Sequence, residues 1–188
     1  MRNRLGGSGG GAVCGASPMA ALQDEHGVMR LVLEAAEREA EHLRRGKGEG
    51  LARVRQILGF FREFVEECHQ VKEEHFLFPM VRACLPREGG DAVERFLEEH
   101  EQGRALATAA GRALAAAHGE AAALSAYAEH LRAHMAGEDA TLWPLAARAL
   151  TAHDRRALVA AFEKVEAQEM GLGRHDELCR AARELAET

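Results

Sequence analysis

The sequence predicts an all-α protein, an antiparallel up-down four-helix bundle with additional C-terminal helices. Alanine is very frequent among its 188 residues, aromatic residues make up only 5%, and there are only four prolines, a composition that favours helix over sheet. Long segments also repeat apolar side chains every three or four positions, as helices with one buried face do. The breaks between the four longest segments are short, which favours antiparallel neighbours.

Glycine, proline and capping residues mark where each helix begins and ends. Ser17 and Pro18 form a helix start signal, with Ser as the N-cap and Pro in the first turn. The glycines between 46 and 50 break the first helix, Asp91 is a suitable N-cap for the third, and Gly119 precedes the fourth. The predicted helices cover about 18–45, 51–84, 91–118, 120 to beyond 138, 152–169 and 176–187.

Two prolines are expected to interrupt the long helices. Pro79 and Pro144 each lie six residues after a Glu, at Glu73 and Glu138. A proline inside a helix removes one backbone hydrogen bond and clashes with the preceding turn. We therefore expect each proline to kink or end its helix.

The chain is long enough for one domain with a sizeable core. Residues 1–17 are rich in Gly and Ser and predict a disordered tail, while 18–188 form the helical domain, including a helical extension over about 151–188.

Charge, hydropathy and cysteine spacing exclude several functional classes. The net charge is −6 and no basic cluster occurs, so we expect no nucleic-acid partner. No stretch approaches 18 apolar residues, so we expect no membrane span. The four cysteines show no CxxC spacing, which predicts free thiols in a reduced, cytoplasmic protein.

One pattern, H-x3-E-[ED]-x2-L-[FW]-P, occurs twice, over 69–79 and 134–144. A second pattern, E-H-x3-R, precedes each copy, over 25–30 and 99–104. His and Glu four residues apart lie on one face of a helix. Four packed helices would therefore direct four imidazoles and two carboxylates at one centre, and the repetition suggests two metal ions. The candidate metal ligands are His26, His69, Glu73, His100, His134 and Glu138.

Imidazole with bridging carboxylate suits iron, manganese or zinc. Without a cation, these buried polar groups would cost roughly 1–3 kcal/mol each. The order of the four motifs resembles the hemerythrin-like (HHE cation-binding) domain family over about residues 18–175. The resemblance implies a four-helix bundle around two non-haem iron ions, with the six candidate residues as ligands and Glu73 and Glu138 as bridging carboxylates.

The chain departs from the O2 carriers of that family at two positions. Arg104 stands where they have a further His, four residues after the His of the third helix. They bridge with an Asp five residues after the last His, where this chain has Asp139, although Glu138 occupies the symmetric position. A bridging role of Asp139 therefore stays open, and the chain looks more like the bacterial and iron-sensing branches.

Residues around the six candidates receive less specific predictions. Glu25 and Glu99 are expected to contact a ligand His or to be exposed, and Glu74 and Asp139 to be solvated or beside the site. His130 is expected near the site rather than as a ligand, with the ligand role as the alternative. The remaining expectations are a solvated Lys72 and Arg132, a structural Cys68, and, as an alternative to a surface position, a His175 folded over the open end of the bundle.

The function that these inferences favour is a di-iron centre that interacts with O2, or another small diatomic or peroxide ligand, in redox or iron sensing or storage. One alternative is a di-iron enzyme acting on peroxide or nitric oxide. Another is a metal-free helical interaction bundle with a protein partner that the sequence does not identify.

Overall fold

The structure, a computed structural model, describes residues 17–46 and 51–187. The predicted disordered tail, apart from Ser17, lies outside the described residues. Within the described ranges every regular element is helical and no strand occurs, which confirms the all-α prediction.

Six helical segments follow one another in the described residues. Helix α1 is Pro18–Arg44, α3 is Glu88–Ala116 and α6 is Arg174–Glu187. The other three contain π-helical stretches. Helix α2 runs from Leu51 to Cys84 and consists of Leu51–Phe60, π-helical Phe61–His69, Gln70–Lys72, π-helical Glu73–Leu77 and Phe78–Cys84. Helix α4 runs from Glu120 to Ala149 and consists of Glu120–Gly137, π-helical Glu138–Leu142 and Trp143–Ala149. Helix α5 consists of Ala152–Lys164 and π-helical Val165–Gly171.

The two capping predictions have different outcomes. Ser17 is the N-cap of α1 and Pro18 its first residue, but the Ser17 side chain makes no capping hydrogen bond. The prediction that Asp91 caps α3 is wrong, because that helix begins at Glu88. The backbone N–H of Gly89 donates to Leu85 O at 2.8 Å, and a Cβ at Gly89 would lie 2.8 Å from Val81 O. The missing side chain thus allows α3 to begin close against the end of α2.

Neither Pro79 nor Pro144 ends its helix, so that part of the expectation is wrong. Helices α2 and α4 continue for five residues beyond them, to Cys84 and Ala149. Each proline instead follows a π-helical stretch that begins at the Glu of the repeated motif. A π-helical turn widens the backbone, and such turns are frequent at functional sites.

Consecutive helices among the first four pack against each other, α4 packs against α1, and the C-terminal ends of α2 and α4 also meet. Three side-chain hydrogen bonds join α1 and α4, and their residue numbers fall along α1 as they rise along α4. They link Arg44 with Ser125, Glu37 with Arg132, and Arg30 with Asp139. These two helices are therefore antiparallel. Arg132, expected to be solvated, is exposed on this surface and forms an ion pair with Glu37 at 2.7 Å.

Two apolar clusters fill the bundle, and a polar layer lies between them. Along α1, Leu22 belongs to one cluster and Met29 to the other, with His26 between them. Along α4, Leu131 and Leu142 lie on either side of the polar stretch in the same way. Because both clusters are closely packed, the polar side chains of this layer have little contact with water.

Helices α5 and α6 belong to the packed structure. Leu158 and Phe162 of α5 enter one apolar cluster, and Leu178 of α6 enters the other. The guanidinium groups of Arg38 and Arg53 both donate to Leu185 O near the end of α6, at 3.3 and 2.8 Å. Leu185 O, one of the last carbonyls of α6 that lack a partner within the helix, is thereby satisfied.

Within residues 17–46 and 51–187, none of the helices combines the length and apolar character that crossing a bilayer requires.

The packing of α6 predicts a stability difference between two leucines. Leu178 is 5% exposed in the core, whereas Leu172 is 91% exposed. We expect Leu178→Ala to lower the free energy of unfolding by about 2–5 kcal/mol, and Leu172→Ala to change it by less than about 0.5 kcal/mol. Urea denaturation of both variants measures this. Equal effects would show that α6 is not part of the cooperative core.

Candidate metal centre

The six predicted ligands meet in the polar layer. All are buried, and they form two groups of four donors that share both carboxylates. One group is His26, His69, Glu73 and Glu138; the other is His100, His134, Glu73 and Glu138. The structure therefore brings all six predicted residues together in two adjoining groups.

The donor atoms have the spacing of a coordination site. The Nε2 atoms of His26 and His69 are 3.2 Å apart, and those of His100 and His134 are 3.1 Å apart. Glu73 lies 3.2 Å from Nε2 of His69 and 3.3 Å from Nε2 of His100. Donors about 2.1 Å from one ion, at angles of about 90–109°, are about 3.0–3.4 Å apart.

Glu138 repeats this arrangement on the opposite side. Its carboxylate lies 3.3 Å from Nε2 of His26 and 3.4 Å from Nε2 of His134. Each carboxylate thus faces one His from each group, the position that a bridging ligand occupies. Asp139 lies outside the two donor groups, so the structure places Glu138 and not Asp139 at the centre.

The two central carboxylates have no hydrogen-bond donor among the described residues. None of the four oxygens of Glu73 and Glu138 accepts a hydrogen bond, although all are buried. An unpaired buried polar group costs about 1–3 kcal/mol, and more when it is charged. Cations between the carboxylates and the Nε2 atoms would satisfy these oxygens, so the residues present fit a pair of metal ions.

Without a metal, the central groups have strongly shifted pKa values. Burial and the nearby charge of Glu73 raise the pKa of Glu138 well above its usual range. Burial lowers the pKa of His26 to about 4, helped by the charge of His69. Burial alone would also lower the pKa of His69, but the charge of Glu73 and a hydrogen bond to Glu25 raise it to about 9. Such opposed shifts within one buried cluster are typical of functional sites.

Each of the four imidazoles donates a hydrogen bond from its Nδ1–H to an outer carboxylate. The Nδ1 atoms lie 2.7–3.0 Å from the accepting oxygens. With Nδ1 as the donor, Nε2 keeps its lone pair and can bind a metal. The four pairs are His26 with Asp139, His69 with Glu25, His100 with Glu74 and His134 with Glu99.

The hydrogen bonds to the outer carboxylates account for the acids that precede or follow the candidate ligands in both motifs. The Glu of each E-H pair, Glu25 or Glu99, accepts from the His of the next helix. The acids after the central Glu residues, Glu74 and Asp139, accept from the His of the E-H motifs. Each of the four acids is adjacent in sequence to a candidate ligand, and this was the signal for a role beside the centre. The sequence also allowed each of them to be exposed.

The Arg of each E-H-x3-R motif holds one of these outer acids. Arg30 forms an ion pair with Asp139, and Arg104 donates to Glu74 at 2.9 Å and to Gln70 at 3.1 Å. Arg104 therefore supports the carboxylate behind His100. Burial alone would raise the pKa of Glu74, but hydrogen bonds from His100 and Arg104 lower it.

Three further predictions can be compared with the structure. The expectation that Lys72 is solvated is wrong, because it is 1% exposed and forms ion pairs with Glu25 and Glu166. His175 does fold back onto the bundle, with its Nε2 3.2 Å from Glu25. His130 lies beside the site as expected, donating to the backbone oxygen of Glu99 at 2.8 Å, and it belongs to neither donor group.

The shifted pKa of Glu138 predicts how the metal-free protein responds to pH. A carboxyl whose pKa is raised on folding stabilises the fold below its ordinary value of 4.5, and this stabilisation is lost as the pH rises through the raised pKa. We therefore expect Glu138→Gln to stabilise the chelated protein at pH 8 by at least about 1 kcal/mol, and much less at pH 5.

Urea denaturation in the presence of a chelator measures this difference. Glu98→Gln is the control, because Glu98 is an exposed acid of α3 outside the centre. An equal effect of both substitutions, or no dependence on pH, would contradict the raised pKa of Glu138.

Comparison with known proteins agrees with this geometry. Neither the curated proteins nor the solved structures compared with the chain gave a match. One family model, described as the Hemerythrin HHE cation binding domain, matches residues 17–146, which include all six central residues. Because the match covers more than half of the chain, this protein belongs to the hemerythrin HHE cation-binding family.

Proposed function

We propose that the protein binds two iron ions, one between His26 and His69 and one between His100 and His134, with Glu73 and Glu138 bridging them. The observation that carries this proposal is the set of four buried carboxylate oxygens without hydrogen bonds, between two pairs of converging Nε2 atoms. Two shared carboxylates are a typical way for a helical bundle to hold a pair of metal ions.

The donor set fits iron, and the family resemblance favours iron over a purely structural metal. Each ion would receive two imidazole nitrogens and two carboxylate oxygens. These four donors can close a tetrahedral zinc site, whereas non-haem iron usually keeps open positions for further ligands. The resemblance to hemerythrin-like proteins favours iron, and bound iron would supply redox chemistry and open coordination positions.

The surroundings of the centre favour a small, uncharged ligand such as O2. The ring of Phe78 stacks on His100 with a centroid distance of 5.6 Å, and Trp143 lies at 5.6 Å from His26. Phe78 also lines a surface groove of about 350 Å³ together with Glu74 and Leu97. Phe78 thus contacts both the groove and the imidazole of His100.

We infer that O2, or a related peroxide or diatomic ligand, reacts at the metal pair in redox or iron sensing or storage. Arg104 occupies the position of an additional His in the O2 carriers, and its guanidinium group binds Glu74 and Gln70. Both ions would then have the same number of protein donors. This equal donor set favours redox or iron handling over dedicated O2 carriage.

The first prediction from this proposal concerns metal content. Protein purified without oxygen should contain about two irons per chain, and air should produce a new near-UV absorption band. Glu73→Ala should remove most of the iron and the band, because Glu73 faces both ions. Elemental analysis and absorption spectra before and after exposure to air measure both quantities.

His130→Gln is the matched control, since His130 lies beside His134 but outside both donor groups. It should retain the full iron content. Full occupancy by zinc, or no metal in folded wild-type protein, would contradict the di-iron proposal and favour a structural or metal-free bundle. Turnover of peroxide or nitric oxide by the iron-loaded protein would instead favour the enzyme alternative.

A further inference from the structure

Glu25 differs from the other outer carboxylates in how it is held. One of its oxygens accepts from His69 Nδ1 at 2.8 Å. The other forms an ion pair with Lys72 and lies 3.2 Å from His175 Nε2. Glu25 is only 5% exposed. Three donors from two helices, α2 and α6, therefore fix the orientation of this buried carboxylate.

The equivalent acid in the other half of the bundle lacks this support. Glu99 accepts from His134 Nδ1 at the same 2.8 Å, but its side chain is 27% exposed. The nearest charged partner is Arg95 at 3.6 Å, and the Arg95 side chain is 50% exposed. Exposed ion pairs contribute little because water screens them. The carboxylates that accept hydrogen bonds from His69 and His134 thus differ in their burial and in the charged groups that hold them.

Residues of the C-terminal helices α5 and α6 account for much of the difference between the contacts of Glu25 and those of Glu99. Glu166 of α5 accepts from Lys72 at 2.6 Å, and His175 belongs to α6. Burial alone would lower the pKa of His175, but hydrogen bonds to Cys179 and Glu25 and the charge of Glu166 raise it to about 10. His175 is therefore cationic near neutral pH, and two positive charges face Glu25.

A further cation site at Glu25, Cys68 and His175 is the competing explanation for this cluster, because their donor atoms lie within 4.8 Å of one another. The ammonium group of Lys72 already provides the positive charge there, through ion pairs with Glu25 and Glu166. Burial also raises the pKa of the Cys68 thiol to about 12, so a metal there would first have to displace the thiol proton. The cluster is therefore complete without another ion.

We infer that Lys72 and His175 are positioning residues for the ion held by His26 and His69, because their contacts fix the orientation of Glu25. This inference rests on the proposed function, since it requires two metal ions. The C-terminal extension would then strengthen one of the two ion positions and leave the other unaffected. The two ions would be bound with different affinities although their donor sets are the same.

Stepwise titration of the chelated protein with Co²⁺ tests the inference, because it reports affinity and stoichiometry without any activity. Loss of a hydrogen-bonding partner behind a ligand His typically weakens metal binding by about 10- to 100-fold. We expect Lys72→Met to weaken one of the two binding steps by about this factor and to leave the other unchanged. Lys72→Arg, which keeps the charge, should restore part of the loss.

Arg95→Met is the matched control in the other half of the bundle and should change neither step. If Lys72→Met does not fold, His175→Gln carries the test, because the His175 side chain is 21% exposed and tolerates replacement more easily. Unchanged binding in folded Lys72→Met, or equal weakening of both steps, would overturn the inference. If the wild-type protein does not bind two ions, the proposed function itself fails.

Discussion

The structure depends on two buried carboxylates that face each other without a hydrogen bond. Glu73 and Glu138 occupy the centre of the bundle, and within the described residues no oxygen of either accepts a hydrogen bond. Packing of the two apolar clusters around them leaves little room for water. Bound cations would offset the cost of burying these two carboxylates, so the fold and the proposed metal pair support each other.

Around this centre the chain builds an almost two-fold arrangement from its repeated motifs. Each imidazole lies between a central carboxylate and an outer one, and Arg30 and Arg104 hold two of the outer acids. The symmetry ends at Glu25, where Lys72, His175 and the C-terminal helices add contacts that Glu99 lacks. A repeat in sequence can therefore produce two positions with the same donors and different surroundings.

Much of this arrangement could be predicted from the sequence, because helix periodicity and four-residue spacing are local properties. The six central residues and most helix ends followed from them. Lys72 could not be predicted, since its burial depends on Glu166, 94 residues away. The π-helical turns before Pro79 and Pro144 were also missed, because a proline signals a break and not the wider turn that accommodates it. The start of α3 depended on the close approach at Gly89.

Anomalous X-ray scattering from crystals of the protein purified without oxygen tests the central claim most directly. The account predicts two peaks at the iron absorption edge, one beside the Nε2 atoms of His26 and His69 and one beside those of His100 and His134. Both should lie within bonding distance of Glu73 and Glu138. A single peak, a signal at the zinc edge alone, or an empty centre with the carboxylates still facing each other would contradict it.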